Sequence, residues 1–185
     1  GQEYMPELVE PLAVKHKAML VKDGEDYGAI IDSVGTCKSG GTFVMAAVYW
    51  QETADAITYT TGMKMDVDRL KTIGERIYNL QRMYNAMHGI DRKDDILPWR
   101  FTMMPSTSGN ASGSTCRLDI TLPDYYQLRN WDPESGLPTP ETAARLRLSA
   151  EYQQMQQQVK SGRAASIRAN MPWAAPYTDG VPAER

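Results

Sequence analysis

DVDRLKTIGERIYNLQRMYNAMHG, residues 66–89, is the stretch whose reading decides the fold. Leu70, Ile73, Ile77, Leu80, Tyr84 and Met87 recur at alternating spacings of three and four. That spacing is one continuous apolar stripe on an α-helix and fits no strand. Asp66 stands at an N-cap position, Met65 and Leu70 at staple positions, and Gly89 where a left-handed residue would close the helix. Arg69, Arg76 and Arg82 fall off the stripe, which predicts an exposed polar side.

Upstream, Val14, Ala18, Val21, Tyr27, Ile30, Ile31 and Val34 predict a second helical stretch from Ala13, with Gly24 a candidate break and Gly35 a stop. Asp32 then lies in the last turn and Cys37 in the loop just past it. Phe43–Trp50 is an unbroken apolar run; its alanines and Met45 favour helix over buried strand. Glu52–Tyr59 predicts a short helix closed by Thr60-Thr61-Gly62. Downstream, Asp91-Arg92-Lys93-Asp94-Asp95 reads as a solvated turn and residues 105–116 as a small-residue loop. Leu118–Leu128 is expected to become helical at Pro123. Thr139-Pro140-Glu141 is an N-cap, an N1 proline and a first-turn acid, opening a helix that runs to Ser161-Gly162. The expected fold is all-α and multihelical with irregular orthogonal packing. Residues 1–162 form the helical domain, and the proline-rich 163–185 form an extended tail.

Composition limits the function. The 185 residues carry a net charge of −3, with a pI near 5.4, so no global basic field draws nucleic acid or an anionic membrane. No apolar run approaches the roughly 20 residues that span a bilayer. Two cysteines cannot frame a disulfide scaffold and fit a reducing, cytoplasmic setting. Gly1, in place of a methionine, suggests a processed or excised start.

Chemistry is concentrated in Asp32-Ser33-Val34-Gly35-Thr36-Cys37-Lys38-Ser39-Gly40-Gly41. A cysteine in a glycine-rich loop beside a lysine can be nucleophilic or ligate metal, or be a small buried hydrophobe. His16 and His88 are the available bases for a nucleophile, yet neither sits in a signature. Cys37, Cys116, His16 and His88 lack the paired spacing of structural zinc. The glycines lack a phosphate-loop pattern, and Asp91, Asp94 and Asp95 lack the later glutamate of a calcium loop.

With these residues laid out, the chain resembles the C-terminal domain of the tungsten-containing aldehyde:ferredoxin oxidoreductase family, which includes the tungsten subunit of class II benzoyl-CoA reductases. The likeness extends over residues 15–148. It begins with Lys17-Ala18 and Asp32-Ser33-Val34-Gly35-Thr36-Cys37-Lys38, similar to the family's D-S-x-G-L-C-K/R. It continues through Thr61-Gly62, Gly74-Glu75-Arg76-Ile77, Leu80, Arg82, Tyr84-Asn85, Arg92-Lys93-Asp94-Asp95 and Leu97-Pro98. Tyr125-Tyr126, Leu128-Arg129, Trp131-Asp132 and Gly136-Leu137-Pro138-Thr139 complete it. Thr36 stands where leucine is usual, which matters little if its backbone makes the contact, and Asn130 replaces a usual glycine.

The resemblance implies that Cys37 is one thiolate of a [4Fe–4S] cluster and that Asp32 binds the pterin of a tungsten bis-pyranopterin, with Thr36 between them. A carboxylate suits the amino donors of a pterin, and a loop thiolate suits iron. Glu75-Arg76 and the tyrosine-tryptophan region read as scaffold. The family's other cluster cysteines, C-x-x-C-x-x-x-C, are not in this sequence. The chain is therefore expected to be a C-terminal portion or a subunit of a split enzyme, binding neither cofactor alone. Its implied partners are the N-terminal portion of the enzyme and ferredoxin or another electron-transfer protein. The competing expectation is a non-catalytic helical interaction subunit built on the same fold.

Overall fold

The computed structural model describes residue 10, residues 12–38 and residues 48–171. Among them the chain is all-α, with eight helices and no sheet; two isolated bridges, Ser106 with Ser112 and Trp131 with Pro138, are its only extended pairings. No helix is long and apolar enough to cross a membrane among these residues.

The central element is α3 (Val67–Met87), which contributes to or packs against all three hydrophobic clusters. The Asp66 side chain accepts from the Arg69 N–H at 2.8 Å, as an N-cap should. At the other end Gly89 takes φ 82°. The stripe, however, marks only half of what α3 buries. Leu70 is buried and Ile73 and Ile77 pack beside it, but Leu80 and Tyr84 are exposed while Asn79, Arg82 and Met83 are buried. Arg82 is thus a correction to the polar-side expectation. Its guanidinium donates to the Gly136 carbonyl at 2.8 Å and pairs with Asp95, which also accepts from the Tyr126 hydroxyl. An arginine whose fork is fully matched can be buried where periodicity alone would expose it.

Before α3 come α1 (Lys17–Val34) and α2 (Trp50–Thr61). Gly24 does not divide α1: open space surrounds it, and the Lys22–Asp26 ion pair, 2.8 Å long, bridges the neighbouring turn. Tyr27, Ile30 and Ile31 of α1 meet Trp50 and Ala54 of α2 and Leu70 of α3 in one cluster. Of the expected Phe43–Trp50 helix, residues 43–47 lie outside the described residues. Val48 and Tyr49 are not helical, and α2 starts at Trp50 and closes at Gly62, φ 75°.

After α3, a 3-10 turn (Arg92–Asp94) leads to the short α4 (Trp99–Met103), then α5 (Leu118–Arg129). The turn is not merely solvated: Asp94 pairs with Arg168, and Asp95 with Arg82. Helix α5 carries Pro123 inside it and does not begin there. Leu118 and Leu122 packed with Tyr126 and Trp131 hold the turn ahead of the proline.

The expected helix from Pro140 is two helices, α6 (Pro140–Arg145) and α7 (Ser149–Lys160). Arg147, at φ 57°, breaks them, and the break lets Leu146 and Leu148 both reach the cluster around Met83 and Met155. Residues Arg163–Ala169 form α8 where an extended path was expected; residues 172–185 of that tail lie outside the described residues. Gln158 of α7 donates to the Met87 carbonyl at 2.6 Å and Arg168 of α8 to the Gly89 carbonyl at 2.7 Å. Carbonyls near the end of α3, otherwise unpaired, are satisfied this way.

Candidate functional site

The candidate site is the C-terminal end of α1. The inner face of this helix is anchored by packing, and its middle by charge. Arg129 of α5, fully buried, donates to Asp26 at 2.5 Å and to Glu25 at 2.8 Å. Glu25 also accepts from the Tyr78 and Tyr125 hydroxyls at 2.7 and 2.6 Å. Gly74 lets α3 come so close that a Cβ there would collide with the Asp26 carbonyl. The helix is thereby fixed in position and rotation before it reaches Asp32.

Gly35 ends it in the left-handed region at φ 77°, with its N–H and that of Thr36 returning to the Ile31 carbonyl. Asp32, Thr36 and Cys37 are all exposed, as the placement of a last turn and a following loop predicts. Asp32 is not unpaired. Lys38 Nζ reaches back to its Oδ2 at 2.7 Å, passing over Gly28, whose added Cβ would lie 3.6 Å from Lys38 Cε. Residues Ser39–Gly41 of the motif lie outside the described residues.

Neither histidine joins Cys37. His16 caps the opposite end of α1, a helix of 18 residues, which at the α-helical rise is roughly 27 Å away. His88 caps α3, its Nδ1 2.8 Å from the Tyr84 carbonyl and its ring against Tyr84. A cysteine–histidine nucleophile is not assembled. Among the described residues no group of three or more histidine, cysteine, aspartate or glutamate side chains is poised to hold a metal. Cys116 is exposed as well.

A cleft of about 1690 Å³ lies elsewhere among the described residues. It is lined by the first half of α1, the second half of α3, α5 and parts of residues 94–118, Cys116 included, and by none of Asp32, Thr36 or Cys37. Three of its polar side chains, Glu25, Tyr78 and Tyr125, serve one another. Burial, reinforced by hydrogen bonding to Glu25 and by its charge, pushes the Tyr78 phenol up to about 12. Burial also lifts Tyr125 far above the usual phenol range. Both stay protonated as donors to Glu25.

The fold and this helix end can now be set beside known proteins. Residues 2–148 match the family model described as aldehyde ferredoxin oxidoreductase, domains 2 and 3. The chain belongs to the aldehyde ferredoxin oxidoreductase family. The matched range includes α1 with Asp32 and Cys37 and ends just before α7. A tungsten-containing aldehyde ferredoxin oxidoreductase from Pyrococcus furiosus is 36% identical over 115 residues, 62% of this chain and 18% of that protein. The corresponding protein of Thermococcus kodakarensis is 35% identical over the same shares. The chain thus spans less than a fifth of the length of the curated relatives it matches. Among solved structures, the active-site complex BamBC of benzoyl coenzyme A reductase, with 1,5-dienoyl-CoA, is similar in fold. The TM-score is 0.64 at 23% identity, covering 84% of this chain and 22% of that one.

The resemblance of the D-S-x-G-x-C-K stretch gave Asp32 and Cys37 roles toward a pterin and a cluster. The donor set fits part of such a site. An exposed thiol follows a helix end, and an exposed carboxylate lies one turn earlier on a rigidly held helix. It does not fit a whole one. A four-iron cluster takes four thiolates, and this chain has two cysteines, of which Cys116 lines the cleft that Cys37 does not. Sequence reasoning had not found the return of Lys38 to Asp32; the only signal was a glycine four residues before the acid and a lysine six after it.

Proposed function

We propose that this chain is the C-terminal portion, or a subunit, of a tungstopterin iron–sulfur oxidoreductase that converts an aldehyde to a carboxylate or runs a related low-potential reduction. The observation that carries the reading is the exposed Asp32–Cys37 turn at the end of an immobilised helix, inside the range matched to the family. Cys37 would supply one thiolate to a [4Fe–4S] cluster, and Asp32 would accept hydrogen bonds from the amino donors of the pterin. Thr36 lies between them, its N–H turned back to the Ile31 carbonyl, which leaves its carbonyl and hydroxyl for the site.

When bound, the tungsten–pterin group and the cluster would supply the redox chemistry, with ferredoxin or a similar carrier in the cytoplasm as the electron partner. The work of this chain's own residues is positional. Gly35 turns the backbone so that the thiol leaves the helix axis, and the Arg129 anchorage holds the acid at a fixed height on α1. The remaining cluster thiolates come from the rest of the enzyme.

The test is co-production of the chain with the remainder of the enzyme, followed by iron and tungsten analysis and the visible absorbance of the cluster. A coloured, tungsten-loaded complex that bleaches on Cys37→Ala supports the reading. A complex whose cluster is fully occupied without Cys37, or one that holds neither metal, overturns it in favour of a non-catalytic helical subunit.

A further inference from the structure

We infer that the cleft between α1, α3 and α5 is a docking surface for the N-terminal portion of the enzyme, which enters it with an apolar ridge flanked by carboxylates. The inference rests on the reading of this chain as one part of a larger enzyme. Apolar side chains collect on the cleft without a place in the chain's own core. Leu12, Val21, Ile96, Leu97, Phe101 and Met104 all line it and are 38–53% exposed. None of residues 96–104 belongs to the three hydrophobic clusters, yet the segment is firmly built. The Cys116 N–H donates to the Phe101 carbonyl at 2.7 Å and the Ser106 N–H to the Ser114 carbonyl at 3.0 Å, bracing the lip from behind. Large apolar side chains gathered on one exposed face mark an interaction site, and a braced lip presents them with little ordering cost at binding. The volume, about 1690 Å³, also exceeds the roughly 300–1,000 Å³ of small-molecule pockets, so the occupant it suits is a protein surface.

Charge and position point to which surface that is. Each carboxylate on the cleft wall is already matched from within the chain: Glu25 by Arg129, Asp94 by Arg168 and Asp95 by Arg82. Lys17 and Arg100, also on the wall, pair with no acid among the described residues. The cleft therefore carries unmatched positive charge on a chain whose net charge is −3, and it favours acids on the face that covers it. The chain enters its described fold at this place, with Leu12, Ala13 and Val14 forming part of the wall. More than four-fifths of the length of the curated relatives falls outside the chain. Lys17 to Glu25 of α1 serve the cleft, whereas Asp32 and Cys37 belong to the far end of that helix. Grip and candidate site are thus separate surfaces, and loss of one leaves the other.

The test compares the chain alone with the chain assembled with the remainder of the enzyme, and uses Cys116, exposed on the cleft wall, as reporter. Both samples are treated with N-ethylmaleimide, and alkylation at each cysteine is read by mass spectrometry. Cys116 is expected to react in the chain alone and to be protected on assembly, with the protection kept in Cys37→Ala. Phe101→Asp and Leu97→Asp, at exposed positions, are expected to keep the helical circular dichroism and to weaken association in calorimetry at least about tenfold, the scale of an interface hot spot. Tyr59→Asp, at a position 86% exposed and off the cleft, is expected to change neither. Equal reactivity of Cys116 before and after assembly, with both cleft variants binding like the unaltered chain, overturns the docking surface. If that complex still holds tungsten and bleaches on Cys37→Ala, the reading of the enzyme stands without it. Protection of Cys116 in a complex that holds neither metal keeps the docking surface and overturns the redox reading. Should an aspartate variant lose its helical signal, the Cys116 footprint decides alone.

Discussion

Arg129 Nη1 and Asp26 Oδ1 meet at 2.5 Å across 103 residues of sequence, and the arginine is wholly buried. Its guanidinium lies 4.2 Å from the Tyr78 ring centroid. The pair ties α5 to the middle of α1, the helix that ends in the candidate site. Breaking one side of such a pair strands the other as a buried charge. Arg129→Met is therefore expected to destabilise the chain by about 3–5 kcal/mol. Urea denaturation followed by circular dichroism measures it, and a loss below about 1 kcal/mol, the scale of an exposed pair, would remove the anchor argument.

At Gly74 the backbone of α3 comes close against Asp26 of α1. Alanine there gains helix propensity, worth about 1 kcal/mol. Its methyl would press on the Asp26 carbonyl, a backbone atom that cannot swing aside. Gly74→Ala should lose stability by about 1–3 kcal/mol, the cost of overpacking. A stabilised variant in the same urea titration would show that the two helices are free to separate.

Arg147 holds a left-handed conformation at φ 57° between two buried leucines. That conformation costs an L-residue roughly 1–2 kcal/mol, against about 0.4–1 kcal/mol of extra unfolded-state freedom that glycine brings. Arg147→Gly is expected to raise the thermal midpoint slightly, and Arg147→Val, β-branched and ill suited to positive φ, to lower it. The reverse order of the two midpoints would contradict the helix break.

Acid and alkali should act through different groups. Burial alone would raise the Glu75 carboxyl, but the Arg145 hydrogen bond and the charges of Lys22, Arg145 and Arg129 hold it below its ordinary 4.5. Asp94, opposed by burial, is likewise held below 3.8 by Arg168 and the Asp91 N–H. In both cases the unfolded chain binds protons first, so their stabilisation is present above pH 4.5 and drains away as pH falls through the folded values. Tyr78 runs the other way. Its phenol titrates near 12 when folded against 10 unfolded, so its contribution is intact below pH 10 and is lost as pH rises toward 12. Denaturation midpoints across pH should show Glu75→Gln flattening the acid limb and Tyr78→Phe the alkaline one.

Local features of the fold were legible in the sequence, and long-range ones were not. Asp66, Gly35 and Gly89 announce helix ends because caps depend on a few adjacent residues. The Leu70–Ile73–Ile77 stripe likewise marked the face toward α1 and α2. Arg82 reads as a surface polar residue, and nothing local marks Asn79 or Arg168, because their partners sit far along the chain: Asp95, the Trp131 indole and Asp94. Burial of a polar side chain is decided by whether a partner arrives, and periodicity holds no record of that. Pro123 misled for a related reason: it marks a helix start by propensity, whereas packing of Leu118 and Leu122 extends the helix before it. The site divides the same way. Asp32, Gly35 and Cys37 lie within one turn and loop and could be read together, while the return of Lys38 over Gly28 needed coordinates.

The unbroken course of α1 has a consequence for how the gene can vary. Asp26, gripped by Arg129, and Asp32, at the site, share one helix six residues apart, roughly 9 Å at the α-helical rise. A single inserted or deleted residue between them would turn Asp32, Gly35 and Cys37 by roughly 100° about the axis, and placed ahead of Ile30 it would turn Ile30 and Ile31 away from Trp50, Ala54 and Leu70 as well. Substitutions along this segment are absorbed or not according to size, but its length is counted in whole residues. The spacer from grip to site behaves as a ruler, read at once by the core through Tyr27, Ile30 and Ile31 and by the helix end through Asp32.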